Sequence, residues 1–180
     1  MSTTTKLNND LNAGQDWVTT LNILIADGTA NRDITGCTLV SQIRRHWKSV
    51  SSKTSVGIIV LDATTGSIRM TLTAAQTTLL KSGKYVYDVE MTTPPTLTVK
   101  DATGTFITDE VITGATSGAT GTVIAHSPLT KITYNITSGT FAGTETINGT
   151  TYNTTLVSND GRPIERAIEG VFTVQPEVTV

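Results

Sequence analysis

The chain has 180 residues, 37% hydrophobic and 16% charged, with a formal net charge of −2. That length suits one domain or one and a half and can bury a real core, while the near-neutral balance excludes a field that would hold DNA or an anionic membrane. The excess residue is threonine, at 38 positions. Its stiff, β-branched side chain suits strands and weakens helices, so composition alone points to an all-β protein.

Cys37 is the single cysteine, so no intrachain disulfide staples the fold. Residues 1–16 lack the basic start and apolar core of a signal peptide. No apolar run approaches the roughly 20 residues of a membrane span. The expectation is a soluble protein made in the cytosol, with neither membrane nor nucleic acid as partner. Asn135, Asn148 and Asn153 stand in N-x-[ST] triplets, which a threonine-rich chain produces by chance.

Residues 1–14 are polar and read as a flexible arm. Trp17 to Ile25 alternates as a strand ending at an Asp27-Gly28 turn. Thr38 to Trp47 is the next strand, with Leu39, Ser41 and Ile43 inward. Ser55 to Leu61 is apolar on both faces and reads as a central strand. Asp62 to Gly66 is a turn in which the Asp62 carboxylate can bond its own backbone. Ser67 to Leu72 is a fourth strand, with Ile68, Met70 and Leu72 inward. Thr73-Ala74-Ala75-Gln76 has the form of a capping box, predicting a short helix over 74–80 with Leu79 or Leu80 plugging the core.

Lys84 to Met91 puts Tyr85, Tyr87, Val89 and Met91 on one face, and Arg166 to Val174 has the same alternation. The two read as the strands of one hairpin, separated by a long threonine- and glycine-rich interruption. Pro94-Pro95 marks where the sheet cannot continue. Within the interruption, Gly104-Thr105-Phe106 through Gly114 matches Gly139-Thr140-Phe141 through Gly149, with Gly, Thr, Phe, Glu, Ile and Gly in common. Each copy reads as strand, turn, strand. Two copies are too few for a solenoid but enough for a small two-hairpin barrel or layer. Asp160-Gly161-Arg162-Pro163 returns the chain.

Chemistry-bearing residues are sparse. The loop 114–121 is glycine-rich but lacks the Gly-Lys-[Ser/Thr] ending and helix of a phosphate cradle. His46 and His126 are the only histidines; His126 reads as a plain surface residue beside Ser127-Pro128. Cys37 reads as a small buried thiol. No nucleophile elbow surrounds any serine, no alternating-oxygen calcium loop occurs, and Tyr85 and Tyr87 read as core. The expectation is a protein without cofactor, metal or catalytic residues. The best candidate for a partner contact is the basic-aromatic run Arg44, Arg45, His46, Trp47, Lys48. Strand alternation would put Arg44 and His46 on one face and Arg45 and Trp47 on the other.

Asp33-Ile34-Thr35-Gly36, Ser41-Gln42-Ile43-Arg44, the run from Gly66 to Thr77, Gly83 to Glu90 and the closing Glu169 to Thr179 together resemble one family. It is the immunoglobulin-like domain of bacteriophage structural proteins, including the N-terminal domain of baseplate upper proteins. The resemblance covers about 15–92 and 161–180. The insert resembles short Phe/Glu/Gly repeats in structural proteins of marine phages, particularly those infecting cyanobacteria. The expected fold class is therefore an all-β, immunoglobulin-like antiparallel sandwich (15–92 plus 161–180) with a small β-domain inserted over 93–160, before the last strand. The resemblance implies a virion protein, a tail or baseplate building block or accessory subunit whose partners are other virion proteins or further copies of itself. A head decoration protein is the alternative, and a receptor- or glycan-binding module the alternative of another class.

Overall fold

The structure, a computed structural model, describes residues 5–25, 28–51, 54–127 and 130–176. Along the chain run β1 (Thr5–Lys6), β2 (Asn9–Asn12), β3 (Trp17–Asn22), β4 (Thr38–Arg44), β5 (Thr54–Ser55), β6 (Gly57–Asp62), β7 (Ser67–Leu72), α1 (Ala74–Thr78), β8 (Gly83–Thr92), β9 (Thr96–Lys100), β10 (Val111–Gly114), β11 (Thr120–Ser127), β12 (Lys131–Ser138), β13 (Thr146–Asn148), β14 (Asn153–Asn159) and β15 (Ile164–Gln175). The protein is all-β apart from that one short helix. It divides into two compact units, Met1–Thr92 with Ile164–Val180, and Thr93–Pro163.

The first unit has two sheets over one core. One runs β1-β15-β8-β4-β5, with β2 also on β15; the other runs β3-β7-β6. Alternation supplies the core from both: Ile43, Tyr85, Tyr87, Val89, Met91 and Phe172 from the first sheet, Ile68, Met70 and Leu72 from the second. Tyr87 and Phe172 stack with ring centroids 4.4 Å apart, and Trp17 meets Phe172 edge-on at 5.0 Å. The capping box forms: the Gln76 amide donates to Thr73 Oγ1 and the Thr73 amide to Gln76 Oε1. Leu80 closes the core at 1% exposure, while Leu79 turns out to solvent. Asp62 Oδ1 accepts from the Thr64 amide at 2.9 Å, holding the β6–β7 turn.

Two expectations are corrected here. The flexible arm is, from Thr5 to Asn12, a pair of short strands parallel to β15, with Lys6 beside Glu169 and residues 9–12 beside 172–175. Leu11 is 2% exposed, and Tyr87 Oη donates to the Leu7 carbonyl at 2.7 Å while accepting from Asn9 Nδ2 at 3.3 Å. Burial pushes the Tyr87 phenol up to about 12, with the Asn9 bond opposing. Gly170 makes the approach possible, because a Cβ there would strike the Leu7 carbonyl and the Tyr87 ring. A polar run has no apolar period to betray it; the open edge of β15 recruits its backbone. Residues 1–4 of the expected arm lie outside the described residues, as do Ala26 and Asp27 of the expected Asp27-Gly28 turn. The second correction concerns β6, expected as a central strand, which lies at the edge of its three-stranded sheet.

β8 and β15 form the hairpin whose turn is the whole second unit: Thr92 and Ile164 are direct antiparallel partners. Replacing residues 93–163 with Asn-Gly should therefore close the hairpin with an ordinary two-residue turn. Loop-closure entropy changes by only about 0.6 kcal/mol per doubling of length, so shortening adds no penalty. The expected result is a soluble first unit with a single cooperative unfolding transition by tryptophan fluorescence. A non-cooperative transition would show that the insert belongs to the first core.

The second unit is a closed barrel in the order β10-β11-β12-β9-β14-β13. The sequence repeat is its internal two-fold. Equivalent strands of the two copies pair with each other, β9 with β12 (Leu97 opposite Ile132) and β10 with β13 (Thr113 opposite Asn148). The Gly-Thr-Phe start of each copy is a loop rather than the expected strand. It buries Phe106 or Phe141 and then turns through Asp109 (φ 67) or Thr144 (φ 65), a conformation rare for residues other than glycine.

The repeated glutamate explains how such a turn is held. Glu145 accepts from the Ala142 amide (2.7 Å) in its own copy and from the Thr116 amide (3.0 Å), Ser117 amide (2.9 Å) and Ser117 hydroxyl (2.8 Å) in the other. Glu110 reciprocates, accepting from Ile107 in its own copy and from Thr150 in the other. Each copy locks its partner's loop.

Candidate functional site

The basic-aromatic run does not continue the alternation of β4. The strand ends at Arg44 and the chain turns, with the Ser49 amide donating to the His46 carbonyl at 2.9 Å. Arg44 lies on the outer face of the larger sheet, donating to Gln42 Oε1 at 3.0 Å. With Val40, Gln42, Asp88 and Glu90 it lines a shallow groove of about 250 Å³. Asp88 is 8% exposed and pairs with Arg166 Nε at 3.3 Å; the same guanidinium pairs with Glu169 and lies over Trp47, 5.3 Å from the ring centroid. The turn thus brings Trp47 to the side of the sheet that holds Arg44. Arg45 goes elsewhere, lying over the Tyr85 ring at 4.8 Å and donating to the Lys84 carbonyl. His46 and Lys48 are exposed. Of the five predicted residues, the fold gathers Arg44 and Trp47 and separates Arg45 from them.

Most of the charge on this outer face is already spoken for. Lys6, Asp88, Arg166 and Glu169 form a chain of pairs, of which those made by Glu169 with Lys6 and Arg166 are open to solvent and contribute little each. The face is a solvated polar surface whose apolar features are Trp47, 48% exposed, and Val40, 52% exposed.

The contrasting surface is β6. Ile59, Val60 and Leu61 are 52%, 46% and 44% exposed, consecutive along one strand. β7 pairs with one side of it, from Gly57 opposite Thr71 to Asp62 opposite Ser67, with a bulge between Val60 and Asp62. Among the described residues no strand pairs with its other side. An edge strand with open main-chain donors and acceptors is the ordinary template for adding a strand from another chain. The signal for this surface in the sequence is a strand apolar on both faces, of which only Ile58 packs against the core.

No protein family's model matches the chain, and no curated protein matches it. Function therefore rests on surfaces and chemistry. Among the described residues no three His, Cys, Asp or Glu side chains gather as metal ligands. Cys37 is half-buried, and burial raises its thiol. His126 differs from the surface residue expected. Its Nδ1 accepts the Phe106 amide at 3.0 Å and its ring meets Phe106 edge-on, while burial pulls the imidazole below its ordinary value against the Glu110 charge. It holds the loop of the first copy. The aromatic residues that could have served a sugar platform in the insert are largely spent on packing: Phe106, Phe141 and Tyr134 are at most 4% exposed, leaving Tyr152 at 38%.

Proposed function

We propose that the protein is a bacteriophage virion structural protein, a tail or baseplate building block or accessory subunit that acts through protein–protein contacts. The observation that carries this reading is the apolar free edge of β6, a surface suited to joining another chain rather than to holding a small molecule. The first unit is read as an immunoglobulin-like sandwich. The orders β15-β8-β4-β5 and β3-β7-β6, with the closing hairpin β8–β15, support that reading because they follow the two-sheet arrangement of such domains. The second unit, hung in the turn of that hairpin, is a separate surface available for a neighbouring subunit.

Proteomics and labelled imaging of purified phage particles test the proposal. The expected result is the chain present at a fixed copy number and located on the tail or baseplate. Location on the head would favour the decoration reading, and absence from purified particles would overturn both.

A further inference from the structure

The two copies of the repeat hold their phenylalanine loops differently. In the first, the Phe106 amide donates to His126 Nδ1 at 3.0 Å, and the two rings meet edge-on with centroids 5.2 Å apart. The second copy has no imidazole for this task. The Val123 amide donates to the Glu110 carbonyl and the Leu156 amide to the Glu145 carbonyl, and each strand bulges just beyond that point. β11 and β14 therefore align with His126 against Asn159. Asn159 Oδ1 is taken by the Tyr134 hydroxyl and the Gly161 amide, and an amide side chain does not titrate.

An acceptor nitrogen fixes the protonation state of the ring. With the Nδ1 lone pair aimed at the Phe106 amide, the imidazole is neutral and carries its proton on Nε2. Nε2 is buried and meets no acceptor among the described residues. A second proton can go only to Nδ1, where the new N–H would point at the Phe106 N–H. Two donors face to face leave both unsatisfied, so the charged ring and the closed loop exclude each other. The surrounding groups do not offset that cost. On the loop, Glu110 favours the imidazolium, but both its oxygens are taken by the Ile107 and Thr150 amides, and Asp109 is exposed. On β12, Lys131 pairs with Asp160 and Tyr134 is buried against Phe141. β11 itself carries no other titratable group.

We propose that His126 is an acid-operated latch: protonation of its imidazole releases the Phe106 loop of the first copy and leaves the Phe141 loop of the second closed. The freed loop stays tethered at its far end, where the Asp109 amide donates to the Val123 carbonyl at 2.9 Å and the Thr108 hydroxyl to the Ile124 carbonyl at 3.2 Å. Opening brings Phe106, 2% exposed in the closed loop, to the surface. The direction follows from linkage. Burial holds the imidazole below its ordinary 6.5 in the closed loop, and release returns it to that value. The open form then binds more protons, so the closed form loses stability as pH falls below 6.5 toward the closed-loop value. This window begins above the ordinary 4.5 of Glu145, which separates the latch from acid unfolding of the barrel. The latch is independent of the virion reading, and either can fail alone.

Hydrogen exchange on the full-length protein reads the latch, with each rate corrected for the intrinsic pH dependence of exchange. From about pH 7 to about pH 5, protection over residues 104–107 should fall about tenfold, within the roughly thirtyfold that one such proton can supply, while residues 139–142 keep theirs. Nitrogen shifts of the His126 ring should show the Nε2-protonated tautomer at neutral pH. His126→Gln keeps an acceptor oxygen within reach of the Phe106 amide and takes no proton, so its protection should stay level over the same range. Constant protection of 104–107 in the unaltered protein, a neutral ring protonated on Nδ1, a pH dependence that survives in H126Q, or loss of protection in both loops together would each overturn the latch. The comparison of the two loops within the unaltered protein needs no variant to fold.

Discussion

Glu145→Ala should unfold the barrel selectively. The substitution leaves three amides and a hydroxyl without the acceptor that holds two loops. Hydrogen bonds to a charged group contribute about 1.5–3 kcal/mol each, and losses within one network do not add fully, so we expect about 3–4 kcal/mol. The readout is built in: both tryptophans, Trp17 and Trp47, belong to the first unit, so fluorescence follows that unit alone. Hydrogen exchange over residues 96–159 should lose protection while the fluorescence midpoint in urea stays in place. Glu145→Gln keeps one acceptor oxygen and should fall between. A barrel that keeps its protection in E145A would overturn the reciprocal-lock reading.

The same carboxylate predicts an acid response. Burial pushes the Glu145 carboxyl up, but the amides of Ser117, Thr116 and Ala142 and the Ser117 hydroxyl together hold it below its ordinary 4.5. A folded value below the unfolded one means stability that is present above about pH 4.5 and lost as pH falls through the folded value. Asp160, held low chiefly by the Ser158 hydroxyl, acts in the same direction in this unit. The barrel should lose exchange protection below pH 4.5, and E145Q should make that loss shallower.

Phe172→Ala should have the largest effect on the first unit. Phe172 is fully buried on β15, stacked on Tyr87 and met edge-on by Trp17. Removing a buried phenylalanine costs about 3–5 kcal/mol because the cavity only partly collapses. Against a total of roughly 5–15 kcal/mol for a domain, that is a large share. The urea midpoint followed by tryptophan emission should drop accordingly, and Phe172→Leu should recover about half. A shift in F172A below about 1 kcal/mol would show that β15 is not central to this core.

Much of the fold was legible because strands with one wet face announce themselves. The alternation of β4, β7 and β8 named their inward residues, the Thr73–Gln76 capping box named the helix, and the two Phe/Glu/Gly copies named a repeat. The repeated glutamates, the only charges shared by the two copies, could have been recognised as structural on that ground alone. Less was legible where a side chain's role depends on what folds over it. The reach of Trp47 to Arg166 depends on a turn after β4, and the bond between His126 and Phe106 joins residues twenty positions apart.

By itself the sequence determined an all-β chain, its apolar faces and the duplicated unit, because period and turn chemistry act between near neighbours. Only the tertiary structure decided that the polar start of the chain would be taken up as strands along β15, that two copies would close into one barrel, and that β6 would stand at an edge. Those outcomes depend on which backbone donors and acceptors are left open once the other strands have paired, and no local pattern of side chains carries that information.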